Sequence, residues 1–121
     1  MSTPFITRGS APDEWQVVLT AVGPWHDVPR ELLKLQDRLY DSVDAILDGQ
    51  ISATFPALQG CRLVVRVICV DAPEKEVRDF FERFTNGIFQ QGDYRKARDQ
   101  RRYASDIGFA ISFERTLEIS A

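Results

Sequence analysis

Histidine, cysteine and methionine are scarce in this chain, with one, two and one copies in 121 residues, and each scarcity removes a class of function. A structural zinc site takes about four Cys or His ligands that converge on one point. Cys61 and Cys69 lie in or beside one apolar run, and eight residues of extended chain hold them roughly 26 Å apart. That separation forbids both a shared metal and an intrachain bridge. The pair therefore reads as reduced thiols, which fits a cytoplasmic protein. Catalytic, metal and cofactor sites are all expected to be absent. Glycine is sparse too: Gly23-Pro24 and Gly60-Cys61 stand alone, so no phosphate-cradling loop is present. No apolar run approaches the roughly 20 residues a membrane helix needs. The first eight residues lack the apolar stretch and cleavage pattern of a signal peptide. Positive charge is not in surplus: 15 Lys and Arg face 18 Asp and Glu, for a net charge of −3. A general nucleic-acid binder would be basic, so nucleic acid is an unfavoured partner and a basic protein a permitted one.

What is present is enough for a real core. The chain is 44% hydrophobic and 11% aromatic, which suits one domain with no disulfide or metal staple. Residues 1–13 are small and polar with two prolines and read as a loose arm, and residues 14–121 read as a single α/β domain. In residues 14–22, Trp15, Val17, Leu19 and Ala21 share one face of a strand that Gly23-Pro24 ends. Leu63, Val65, Val67 and Cys69 repeat the pattern in residues 62–70, with Arg66 on the other side. A third strand over residues 109–119 alternates Phe109, Ile111 and Phe113 against Ala110, Ser112 and Glu114. One sheet face is thus greasier than the other.

Two helices separate the strands. Over residues 29–48, Leu32, Leu35, Leu39, Val43, Ile46 and Leu47 form one stripe, and Gly49 is a natural stop. The second begins near Ala72, carries Val77, Phe80, Phe81, Phe84 and Ile88 at helical spacing, and stops near Gly87 or Gly92. Both are entered through Asp-x-Pro, at Asp27-Val28-Pro29 and Asp71-Ala72-Pro73, where Asp can cap free N–H groups and Pro fits the first turn. Glu74 completes capping-box spacing after Asp71. Residues 50–60 read as an irregular connection and residues 92–108 as a short helix or ordered loop. The order is β-α-β-α-β, and right-handed crossovers set both helices on one face of a two-layer sandwich. The second and third of these strands are expected to be central, with Phe80, Phe81 and Phe84 over Leu63, Val65 and Val67. The other face carries Val18, Val22, Val64, Ile68 and Val70, which invites a cover from the arm, the 50–60 connection or a second subunit of a homodimer.

Two charged surfaces are candidate sites. Asp37, Asp41, Asp44 and Asp48 fall within about 60° of one another on the helical wheel, opposite the leucines. Aspartate is a poor helix former, and negative charge near a helix C-terminus costs roughly 0.3–1 kcal/mol per residue. The stripe is either the solvated side of an amphipathic helix or, because it costs stability, a partner-binding surface. The alternative is Arg95, Lys96, Arg98, Arg101 and Arg102, flanked by Tyr94 and Tyr103, a pattern that can hold phosphate or a single strand. His26 beside Asp27 could act as a base but reads as a loop residue, and Ser10, Ser42 and Ser105 have no evident triad partners.

In general plan the chain resembles the small bacterial immunity proteins of contact-dependent growth inhibition and other polymorphic-toxin systems: about a hundred residues, acidic, α/β, and with an aspartate-lined helix. The resemblance implies a cytoplasmic toxin-neutralising protein that occludes a basic toxin by protein–protein interaction through Asp37, Asp41, Asp44 and Asp48. The competing expectation is a homo-oligomeric α/β module that binds a small ligand or a nucleic acid through residues 95–102.

Overall fold

In a computed structural model, which describes residues 5–116, three long strands of alternating character pair in parallel: β2 (Glu14–Val22), β3 (Arg62–Val70) and β4 (Asp106–Glu114). Register runs straight across, so Val17, Val65 and Phe109 share a row, as do Leu19, Val67 and Ile111. A fourth strand, β1 (Phe5–Arg8), pairs antiparallel with β2 and gives the sheet order β1-β2-β3-β4.

This added strand corrects two expectations. Part of the segment read as a loose arm is ordered: Gly9 N donates to Glu14 O at 2.8 Å, closing a turn, and Arg8 lies over the Trp15 ring at 4.6 Å. The central strands are consequently β2 and β3, because β1 takes the outer edge of β2. The third long strand, β4, is an edge, and most of its residues are half-buried rather than buried. It covers Asp106–Glu114 where residues 109–119 were expected; residues 117–119 lie outside the described residues.

The helices are α1 (Val28–Leu47), α2 (Gln50–Thr54), α3 (Glu74–Gly87) and α4 (Gly92–Asp99). Residues 50–60 are thus more regular than the sequence suggests, with a 3-10 turn at Pro56–Leu58 after α2. The Asp-x-Pro entry works once. Asp27 accepts a hydrogen bond from Arg30 N at 3.3 Å and caps α1, with Pro29 in the first turn. At the second entry Pro73 is the cap residue of α3 and makes no side-chain cap bond. Asp71 is instead in the left-handed region, at φ 56°, and its carboxylate turns to Thr116, accepting from the backbone N and from Oγ1. Its competitor was the C-terminal end of the sheet: Asp71 N donates to Glu114 O at 2.9 Å, holding the loop against β4. Gly23 N donates to Val70 O in the same way, and no residue but glycine fits there because a Cβ would collide with the Asp71 carbonyl.

Both long helices lie on one face of the sheet, as right-handed crossovers between sequential parallel strands demand. The core between the layers holds Val17, Leu19, Leu63, Val65 and Val67 against Leu35, Leu39, Val43, Ile46 and Val77, all nearly closed to solvent. Phe81 and Phe84 are buried and Phe80 is half-buried. The aromatic contacts of Phe81 and Phe84 with the sheet go to Phe109 of β4, edge-on at 6.4 and 6.0 Å. This follows from the crossover, which carries α3 toward the strand it feeds. Among the described residues no helix covers the opposite face, yet Val18 and Val64 are buried there, while Val22 stays 65% exposed. Residues 5–8 of the arm widen this face through β1.

Candidate functional site

The acidic stripe is built by the leucine stripe. Burying Leu35, Leu39, Val43 and Ile46 on the sheet turns Asp37, Asp41 and Asp48 outward, and all three are exposed. Among the described residues none of Asp37, Asp41, Asp44 and Asp48 has a cation within ion-pair distance. Some carboxylates elsewhere do, among them Glu31 with Lys34 at 3.4 Å, Glu74 with Arg78 at 3.7 Å and Glu14 with Arg62 at 3.8 Å, whereas Glu76, Asp79, Glu82 and Asp93 do not. The last turn of α1 carries no basic residue, and Asp48 is itself the C-cap. Its negative charge therefore meets the negative end of the helix dipole unopposed. Gly49, at φ 83°, ends the helix, and the Tyr103 ring lies 2.6 Å from where a Cβ would stand.

Asp44 is set apart from the other three. It is half-buried, because α4 packs alongside α1 and brings Tyr94 to it. The Tyr94 phenol is pushed up to about 12, first by burial and then by the hydrogen bond and charge of Asp44. Tyr94 also meets the Tyr40 ring at 5.7 Å, and Gln91 Nε2 donates to the Tyr40 hydroxyl at 2.9 Å. These polar contacts tie α4 to α1. Sequence spacing could not reveal them, since Tyr40 and Gln91 are 51 residues apart.

The basic segment divides. Arg98 lies over the Phe89 ring at 4.6 Å and reaches Asp99 at 3.3 Å. Arg95, Lys96, Arg101 and Arg102 are exposed, and among the described residues none forms an ion pair. The helix of residues 92–99 forms no ion pair with the acidic stripe and meets α1 through one aromatic ring, Tyr94. Both flanking tyrosines point into the domain, Tyr94 toward Tyr40 and Asp44, Tyr103 onto Gly49. Neither is free to stack a base.

The remaining candidates separate. His26 is exposed and Asp27 is occupied as a cap. Ser42 is buried in α1, and Ser10 Oγ donates to Glu14 at 3.2 Å. Among the described residues no three His, Cys, Asp or Glu side chains gather as a metal set. Cys61 and Cys69 are both free, and burial pushes the Cys69 thiol up to about 11. No helix of the described residues is long and apolar enough to cross a membrane.

Two arrangements escaped the spacing argument. Arg38, on α1 beside Asp37, reaches back over the sheet and donates through Nη1 to Thr20 O at 2.8 Å. This satisfies a backbone carbonyl of β2, and burial lowers the guanidinium's proton affinity. Glu14, Arg62 and Asp106 occupy one row of three adjacent strands, with Arg62 Nε 3.8 Å and 3.9 Å from the two carboxylates. Only the register aligns them. No family model, curated protein or solved structure matches the chain.

Proposed function

We propose that the chain is a protein-binding module that docks a basic partner against the exposed carboxylates of α1, as a cytoplasmic immunity protein does when it neutralises a toxin. The observation that carries this reading is the unmatched charge of Asp37, Asp41 and Asp48, exposed and without ion-pair partners among the described residues, while Glu14, Glu31 and Glu74 each have one. Maintaining three like charges at helical spacing, one at the unfavourable end of the dipole, works against stability. A cationic partner converts that cost into attraction and steers its own approach, so the surface acts chiefly on the rate of association. The two reduced thiols fit a cytoplasmic setting. Phosphate or nucleic-acid binding at Arg95, Lys96, Arg101 and Arg102 is less favoured, because the inward-turned Tyr94 and Tyr103 leave charge without a stacking platform.

The test is an Asp37→Asn/Asp41→Asn/Asp48→Asn variant, which leaves Asp44 and its Tyr94 contact intact. Pull-downs from the source cell at low and raised salt should capture a basic protein with the wild type, lose it as salt rises, and lose it with the variant, whose thermal melt matches or exceeds wild type. Equal capture of that protein by wild type and variant would refute the reading. Capture that fails only when Arg95, Lys96, Arg101 and Arg102 are neutralised would transfer the function to that surface.

A further inference from the structure

The two edges of the sheet are finished differently. On one side β1 (Phe5–Arg8) is four residues long, and Arg38 occupies Thr20 O of β2. On the other side β4 runs nine residues with no proline, no lysine and an unbroken register against β3. Natural sheets blunt a long edge with such devices because free N–H and C=O groups invite another strand.

The orientation of the free groups follows from one bond. Asp71 N donates to Glu114 O, so the backbone of Glu114 faces inward, toward the β3 side. Backbone direction alternates along a strand. The N–H and C=O groups of Ile107, Phe109, Ile111 and Phe113 therefore point outward, and no described residue bonds to them.

We propose that this edge pairs with itself: two copies join β4 to β4, antiparallel about Ala110, and merge two four-stranded sheets into one of eight strands. The sequence of β4 is self-complementary in that register. On the helix face Phe109 meets Ile111 of the second copy and Ile107 meets Phe113, the aromatic–aliphatic pairs that stabilise neighbouring strands. On the open face Gly108 meets Ser112 and Ala110 meets Ala110. These are the non-hydrogen-bonded positions, where Cα atoms approach to about 4.5 Å and small side chains fit. Charge completes the match. Glu114 of the second copy arrives beside Asp106 and within reach of the Arg62 guanidinium, which already lies between Asp106 and Glu14 and is drawn across β4, with Nη2 2.7 Å from where a Gly108 Cβ would stand. In this register a second copy brings one carboxylate, Glu114, to each Arg62. Because α1 packs over β2 and β3, its carboxylates stay outside the joint, and the inference stands independently of the proposed function.

Sedimentation equilibrium of the full chain at up to roughly 100 µM, a range in which specific interfaces saturate, should give twice the monomer mass. Ile111→Pro removes an outward N–H that β3 does not use, and should yield a folded monomer. Arg62→Glu sets a third carboxylate beside Glu14 and Asp106, so it should lower the melting temperature while leaving the chain folded by far-ultraviolet dichroism, and should weaken the dimer at least about tenfold. Should Ile111→Pro fail to fold, Arg62→Glu and a cross-link still decide. Ala110→Cys places two thiols within the Cα range of a disulfide, about 4.4–6.8 Å, and should form an intermolecular bridge on mild oxidation that the wild type does not. A wild type that stays monomeric, a dimer indifferent to Arg62→Glu, or an Ala110→Cys chain that does not cross-link would each overturn the pairing.

Discussion

Truncating Phe84 should be among the most damaging single changes available to this fold, and its cost can be worked from its surroundings. The ring is 8% exposed and meets Tyr40 edge-on at 5.1 Å, Phe109 edge-on at 6.0 Å and Phe80 stacked at 6.3 Å. Loss of a buried Phe to Ala costs about 3–5 kcal/mol through transfer and cavity terms. Aromatic pairs contribute roughly 0.5–1.5 kcal/mol each beyond area, so the upper half of that range is expected. Phe80 is partly exposed and has only one such pair, with Phe84 itself. Phe80→Ala should therefore cost no more than about half as much. For a small domain losing about 1–3 kcal/mol of stability per molar urea, Phe84→Ala should lower the midpoint by at least about 1 M, and by about 2 M at the middle of that range, with an unchanged slope. The assay is urea unfolding followed by far-ultraviolet dichroism for wild type and both variants. The consequence reaches the candidate site, since Tyr40 links this aromatic cluster to α4 and so braces the flank of the acidic face. Equal midpoints for Phe84→Ala and Phe80→Ala would refute the reasoning, because burial and edge-on packing would then not be what holds α3 to α1 and β4.

Tyr94 should titrate near 12 when followed by phenolate absorbance, and Asp44→Asn should lower that value while leaving it above the ordinary tyrosine range, because burial, the largest cause, remains. A pKa raised on folding stabilises fully below the unfolded value of about 10 and is lost as pH rises toward 12, so alkaline unfolding should begin later in Asp44→Asn. In the native protein at pH 8, iodoacetamide should modify the half-buried Cys61 and spare Cys69, whose buried thiol is pushed up to about 11. Both should react in denaturant with no bridge found, and rapid native labelling of Cys69 would contradict its place in the core.

Much of this architecture is written locally. Period-two alternation in residues 14–22 and 62–70 and the helical stripe from Leu32 to Leu47 state which side of each element is apolar. Given right-handed crossovers, nothing more is needed to stack two helices on one sheet face. The acidic stripe is legible for the same reason: on a helix whose apolar side is known, the other side is known too. What escapes is whatever depends on a partner distant in the chain. Residues 5–8, Phe-Ile-Thr-Arg, are strand-prone in type but too short a run to read as a strand beside so many small and polar residues, and they pair because β2 offers an edge. Asp71 has the spacing of a helix cap, yet the end of β4 outbids the helix for its carboxylate and its backbone. Asp44 belongs to the stripe by angle and to Tyr94 by packing, and Arg62 finds Glu14 and Asp106 only through register. Hydrophobic period is a property of one segment and survives any arrangement of the others, whereas hydrogen bonds and ion pairs form between whichever groups the assembled layers bring within about 4 Å.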